Sequence, residues 1–311
     1  MTMAHIYNSI TEMVGHTPLL RLHKFEKHYD TQAHLLAKCD FYNPLFSIKD
    51  RVALQIVEDL EKEQKINAES ILVEATSGNT GIALAAICAS KGYNLVIVMP
   101  ENSSNERIKL IKHFGAEVIL TPANDGMKGA IAKAELLAER NPHVILTKQF
   151  TNPSNIKAHQ LRTGMEIMQD TDGNIDCLIA SVGTGGTLIG IASTLKSCNP
   201  DLHVVAVEPK ESAVLNGKLA GKHRIPGIGA GFIPPLYQKE LVNEIIDIPS
   251  DEAIEMAKTV ALLEGLPVGI SSGAALCAAT IIATRPEMQN KNIVIILPSA
   301  IERYLSLGYF D

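Results

Sequence analysis

Clustered positive charge, paired cysteines and long unbroken apolar runs are all scarce in this sequence, and each scarcity narrows what the chain can do. The formal net charge is −6 and no run of lysines and arginines opposes it, so the phosphate backbone of a nucleic acid is repelled rather than bound. The five cysteines, at 39, 88, 177, 198 and 277, have neither the spacing of a metal site nor that of a disulfide framework. They fit a reducing cytoplasm, as small buried apolar residues. Met1-Thr2-Met3-Ala4-His5 has neither the basic patch nor the apolar stretch of a secretion signal. Residues 265–284 carry no charge, but Pro267, Gly269, Ser271, Ser272 and Gly273 divide them. That division predicts a loop followed by a buried helix rather than a membrane span. Internal repeats and low-complexity tracts are absent.

What is present is a globular composition, 46% hydrophobic and 20% charged over 311 residues. At roughly 100–200 residues per domain, that length predicts two domains, each with a substantial core. From residue 71 onward, short β-branched runs alternate with helical periodicity, the pattern of a parallel sheet with crossover helices. Strands are predicted at 71–73, 95–99, 118–120 and 144–146, then at 177–181, 204–207 and 293–297. Ser103 followed by Glu106 has capping-box spacing for a helix start, and Gly92 and Gly115 stand where helices end. Asn152-Pro153 breaks the pattern and divides the chain into an N-terminal unit, 1–152, and a C-terminal unit, 153–311.

Four segments carry candidate chemistry. Asn43-Pro44-Leu45-Phe46-Ser47-Ile48-Lys49-Asp50-Arg51 sets a lysine at the head of an amphipathic helix, where the macrodipole disfavours an ammonium and favours the amine that forms a Schiff base. A solvated surface lysine is the alternative. Thr76-Ser77-Gly78-Asn79-Thr80-Gly81 lies between a strand and a helix, so hydroxyls and backbone N–H groups converge on an anion site, or merely cap the helix. Gly183-Thr184-Gly185-Gly186-Thr187 occupies the same kind of position and suits a phosphate, although it lacks the nucleoside-triphosphate loop and the dinucleotide fingerprint. Gly269-Ile270-Ser271-Ser272-Gly273 opens the last uncharged helix, with a serine placed to cap it or to meet a ligand.

Taken in order with Val14-Gly15-His16-Thr17-Pro18-Leu19, Gly126-Met127-Lys128-Gly129-Ala130, Gln149-Phe150, residues 227–234 and Glu302-Arg303-Tyr304-Leu305-Ser306, these segments resemble the β-family of pyridoxal-phosphate enzymes over nearly the whole chain. Within that family the resemblance is to the cysteine synthases, the O-acetylserine sulfhydrylases. It implies a tryptophan-synthase-β-like fold of type II: α/β, two domains each with a mainly parallel sheet flanked by helices. The N-terminal domain would be mobile, with residues near 15–40 crossing to the other sheet. Lys49 would carry pyridoxal 5′-phosphate and act as general base, Asn79 would bond its ring hydroxyl, and Ser271 would meet its pyridine nitrogen. Gly183, Thr184, Gly185, Gly186 and Thr187 would bind its phosphate. Thr76, Ser77, Thr80 and Gln149 would clasp the substrate carboxylate. The implied reaction makes L-cysteine and acetate from O-acetyl-L-serine and sulfide, in a cytoplasmic homodimer that needs no metal. Binding of the C-terminal tail of a serine acetyltransferase is left open.

Leu45, Met165 and Pro298-Ser299-Ala300-Ile301 depart from the family pattern, and Ala300 removes a hydroxyl from a stretch expected near the ring. The rival within the fold is a cystathionine β-synthase that takes homocysteine; Gly229-Ala230-Gly231 favours sulfide. A serine or threonine dehydratase would carry histidine in place of Thr80. From other classes, a catalytically silent partner-binding protein would not need Lys49, Asn79 and Ser271 together. A nicotinamide oxidoreductase would rest on the turn at 183 alone.

Overall fold

The computed structural model describes residues 6–310, so the Met1–His5 stretch lies outside the described residues. In chain order the elements are β1 (Leu19–Arg21), α1 (His23–His28), β2 (His34–Cys39), α2 (Lys49–Lys62), β3 (Ile71–Ala75), α3 (Asn79–Lys91), β4 (Asn94–Pro100), α4 (Asn105–His113), β5 (Glu117–Thr121), α5 (Gly126–Arg140) and β6 (Val144–Leu146). Then follow α6 (Ser154–Ala158), α7 (Gly164–Asp170), β7 (Cys177–Ser181), α8 (Gly186–Cys198), β8 (His203–Pro209), β9 (Glu244–Ile248), α9 (Ser250–Glu264), α10 (Ile270–Ala283) and β10 (Asn292–Leu297).

Two compact units result. One takes the residues up to Gly15 and Asn43–Ser154; the other takes His16–Tyr42 and the chain from Asn155 onward. The first is built on a wholly parallel sheet in the order β5-β4-β3-β6. Its central strands, β3 and β4, are mainly apolar because helices cover both faces, Glu74 on β3 being the charged exception. α3 lies within the core of this unit, and its residues Thr80–Cys88 are buried without interruption. The second unit holds a six-stranded sheet, β1-β2-β10-β7-β8-β9, parallel throughout except where β1 meets β2. α10 is buried along nearly its whole length in this unit's core, with Val205, Val207 and Ile295 in the same cluster.

Every strand predicted from apolar runs is present, several one or two residues longer than predicted. Gly92 and Gly115 end their helices at φ +79° and +85°, the left-handed conformation a C-terminal cap needs. The capping box expected from Ser103 and Glu106 does not form, and a simple serine cap one residue later takes its place. Ser103 N–H is used in a turn on Pro100 O, so Ser104 becomes the cap: its Oγ accepts from Arg107 N and donates to Glu106 Oε2 at 2.6 Å. Residues 265–284 form a left-handed Gly265 and the buried α10, not a span; among the described residues no helix is long and apolar enough to cross a membrane. Four cysteines are buried, but Cys198 is exposed at the end of α8, so the expectation of uniform cysteine burial fails there.

Candidate active site

The lysine loop is shaped by its neighbours before it reaches Lys49. Phe46 adopts φ +60°, and the buried Asp50 closes the turn, accepting from Leu45 N at 2.6 Å and from Ser47 Oγ at 3.4 Å. Ser47 Oγ also accepts from Lys49 N at 3.3 Å, which fixes the first residue of α2. Lys49 is half-buried, so part of it stays accessible, yet the surrounding protein desolvates the ammonium and pushes its pKa down to about 8. Near neutral pH the ammonium still predominates, but the neutral amine that attacks a carbonyl is far more abundant than at an ordinary lysine.

In the same unit, the Thr76–Thr80 loop joins β3 to α3. Gly78 N donates to Thr76 Oγ1 at 3.2 Å, and Arg107 holds Ser77 O at 3.0 Å. Thr80 Oγ1 donates to Gln149 Oε1 at 2.6 Å, which brings together two residues 69 positions apart. Thr76, Thr80 and Gln149 are buried, and Ser77 and Asn79 are half-buried. Behind them stands Glu74, buried on β3; its Oε2 accepts from Thr147 Oγ1 at 2.5 Å and Gln149 N at 3.1 Å. Burial raises the Glu74 pKa to about 7 against those hydrogen bonds. Glu74 is absent from the sequence-derived site. Its signal was available, as the one acidic residue in Ile71-Leu72-Val73-Glu74-Ala75.

In the second unit, the 183–187 loop leads into α8. Gly185 takes φ +86°, which turns the chain into the helix, and a Cβ on Gly183 would stand 2.3 Å from Gly227 O. Glycine is thus required for the loop to pack against 227–229, where Gly229 N donates to Val182 O at 3.1 Å. The first-turn N–H groups of α8 have no acceptor within the helix. Thr184 Oγ1 accepts from Asn155 Nδ2 at 2.9 Å. Thr187 Oγ1 lies 3.2 Å from His159 Nε2, and His159 Nδ1 lies 3.0 Å from Thr163 Oγ1. His159 is fully buried in a single π-helical turn and was also missed, because nothing in its local sequence distinguishes it from a core histidine. A loop of N–H groups and hydroxyls without a carboxylate is a donor set for a phosphate dianion.

α10 is capped by Gly269, whose N–H donates to Ser299 O at 2.8 Å, so Ser271 does not cap the helix. Its carbonyl accepts from Ser181 Oγ at 2.8 Å, and the neighbouring Ser272 Oγ is buried without a hydrogen-bond partner. Ala300 pairs with Val268, while Ser299 Oγ lies 3.1 Å from Tyr304 Oη. The hydroxyl lost at 300 leaves one at 299, already engaged.

Taken unit by unit, the chemistry suits parts of pyridoxal 5′-phosphate: in the first, a lysine of lowered pKa suits a carbonyl; in the second, a carboxylate-free loop of N–H groups and hydroxyls suits a phosphate, and a hydroxyl stands in the first turn of α10. Among the described residues, no group of His, Cys, Asp and Glu could hold a metal ion. Residues 10–299 match the family model described as "Pyridoxal-phosphate dependent enzyme". A cysteine synthase of Buchnera aphidicola subsp. Schizaphis graminum is 47% identical over 99% of this chain and 97% of its own length. The crystal structure of a cysteine synthase from Entamoeba histolytica superposes with a TM-score of 0.97 at 44% identity, covering 100% of this chain and 92% of that one. An O-acetylserine-dependent cystathionine β-synthase from Helicobacter pylori gives 0.93 at 35% identity, covering 99% of this chain and 100% of that one. The chain therefore belongs to the family of pyridoxal-phosphate dependent enzymes, with the α/β fold of two sheets that its members share.

Proposed function

We propose that this enzyme makes L-cysteine and acetate from O-acetyl-L-serine and sulfide. The observation that carries the reading is the pairing, within one unit, of a desolvated Lys49 with a buried hydroxyl and amide pair, Thr80 and Gln149, at the head of α3. When bound, the cofactor supplies an electron-withdrawing ring that makes the substrate Cα proton acidic. Lys49 would hold that group, and its neutral amine would take the substrate Cα proton and later return it. Thr76, Ser77, Thr80 and Gln149 hold the substrate carboxylate, which fixes the Cα–H bond toward the lysine. Asn79 would bond the ring hydroxyl and Ser271 would meet the pyridine nitrogen; a neutral serine there would not protonate the ring, which suits loss of a β-leaving group. The 183–187 loop would anchor the phosphate, with Asn155 and His159 orienting its two threonines.

The site assignments rest on the motif positions together with the contacts within each unit. The division at about 152–153, a mobile N-terminal domain, a homodimer, a cytoplasmic location and docking of an acetyltransferase tail belong to the same reading. The wide identity to cysteine synthases supports it. The acceptor is the finer question, because the Helicobacter protein is described as a cystathionine β-synthase. Steady-state rates with O-acetylserine, O-phosphoserine and serine, each paired with sulfide and with homocysteine, decide it. O-acetylserine with sulfide is expected to be fastest, and a higher kcat/KM with homocysteine would overturn the assignment.

A further inference from the structure

Glu74 sits where a buried parallel strand ordinarily carries an apolar side chain; Leu72 and Val73 beside it are equally buried. Burying a carboxylate there is unfavourable unless its oxygens are engaged. Both donors to Oε2 come from one short stretch following β6: the Thr147 hydroxyl and the Gln149 backbone N–H. Between them Lys148 is exposed and held at φ +50°, a left-handed conformation that a lysine adopts only where its neighbours impose it. The stretch is also tied by Thr147 N to Val73 O at 3.0 Å and by Asn152 Nδ2 to Thr147 O at 2.9 Å. Those bonds hold its start, and Thr151 N and Asn152 N, each 2.9 Å from Lys148 O, hold the carbonyl side of the Lys148–Gln149 peptide; the Gln149 N–H on its other side is received by Glu74. The Gln149 side chain then reaches Thr80 across 2.6 Å.

We propose that Glu74 is a positioning residue for substrate binding: it pins the 147–149 turn from beneath, so that Gln149 is presented beside Thr80 in the orientation that receives the substrate carboxylate. The proposal rests on the carboxylate-binding role assigned above to Gln149 and Thr80. Glu74 itself touches no substrate. Without its acceptor oxygen the Gln149 N–H is left buried and unpaired, the Lys148–Gln149 peptide tilts about the bonds that remain at Lys148 O, and Gln149 shifts away from Thr80.

The test compares the cofactor-loaded, full-length protein with Glu74→Leu, Glu74→Gln, Glu74→Asp, Gln149→Ala and the double variant Glu74→Leu/Gln149→Ala. The readouts are melting temperature, bound cofactor, KM and kcat for O-acetylserine, and calorimetric Kd for L-alanine, which has the amine and carboxylate but no leaving group. Glu74→Leu is expected to keep its cofactor while L-alanine affinity falls, and the O-acetylserine KM rises, by at least about tenfold. Glu74→Gln, which retains one acceptor oxygen, recovers part of the loss. The double variant binds no more weakly than Gln149→Ala alone, because the effect of Glu74 passes through Gln149. Unchanged L-alanine affinity in Glu74→Leu, or losses that multiply in the double variant, overturns the proposal. If Glu74→Leu and Glu74→Gln both fail to fold, Glu74→Asp decides, since it keeps a buried carboxylate but withdraws it from the Gln149 N–H; unchanged affinity there is equally fatal. A wild-type protein that neither binds L-alanine nor turns over O-acetylserine overturns the functional reading and this proposal with it. A normal wild type matched by its Glu74 variants, with Gln149→Ala impaired, overturns the Glu74 proposal alone.

Discussion

At the scale of single residues, Lys49 combines a chemical role with a cost to the folded state. Its pKa lies at about 8 in the folded chain against an ordinary 10.5. Below about 8 the folded protein carries a poorly solvated ammonium, whereas above 10.5 the amine is neutral in both states and the penalty is gone. Between the two values the unfolded chain holds more protons, so stability rises with pH. Cofactor-free wild type should therefore gain stability relative to Lys49→Ala as pH is raised from 8 toward 10.5, measured by urea denaturation; a flat difference would contradict the desolvation. The loaded Lys49→Ala protein should lose turnover and the visible absorbance of the lysine-linked cofactor. The clasp gives a separate prediction. Thr76→Ala and Gln149→Ala each remove a hydrogen bond to a charged carboxylate, about 1.5–3 kcal/mol, so kcat/KM for O-acetylserine should fall at least about tenfold with lysine-linked absorbance intact. Loss of the cofactor first would show that these residues hold it rather than the substrate.

At the scale of elements, the glycine-rich loop is where packing and binding coincide. Gly183→Ala drives a Cβ against the Gly227 carbonyl, and no side-chain rotation relieves a contact with backbone. The variant should keep its far-UV circular dichroism and release cofactor at least about tenfold more readily on dialysis, since the first-turn N–H groups of α8 shift with the loop. Gly92→Ala serves as the control. It places alanine at φ +79° with no atom within 4 Å of its Cβ, so it should cost about 1 kcal/mol of stability and leave cofactor retention unchanged. Elements of this kind were legible from sequence because apolar runs and their flanking glycines are local signals. The strands β1, β2 and β9 were not. β9 reads Glu244-Ile245-Ile246-Asp247-Ile248, with acids interrupting its apolar run, and β1 is a three-residue edge. β2 contains Lys38, whose full burial becomes intelligible only once Glu166 at 3.0 Å, Asp170 at 3.1 Å and Thr17 O at 2.7 Å surround its ammonium. The carboxylates are about 130 residues away and Thr17, just before β1, is 21 away, beyond the reach of any pattern along the chain. The site divides the same way: Lys49 and the glycine loop stand in recognisable motifs, whereas Glu74 and His159 act through distant contacts.

At the scale of the molecule, the second unit is assembled from two separate stretches, His16–Tyr42 and the chain beyond Asn155, and this discontinuity has a mechanical consequence. β2 pairs along all six residues of β10, from Asn292 opposite His34 to Leu297 opposite Cys39. Leu22, Phe25, Leu35, Ala37 and Phe41 of the earlier stretch belong to the same core cluster as Ile293, Ile295 and Leu297. Without residues 16–42, β10 becomes a sheet edge whose sequence, Asn292-Ile293-Val294-Ile295-Ile296-Leu297, has no charge, proline or glycine to prevent pairing with another copy. A fragment of residues 155–311 alone is therefore expected to sediment as aggregate. Co-expression with a segment covering residues 16–42 restores the missing strands and the apolar face of α1, and the soluble fraction should rise accordingly. A lone 155–311 fragment that stayed monomeric by light scattering and melted cooperatively would show that the earlier stretch decorates this sheet rather than completing it.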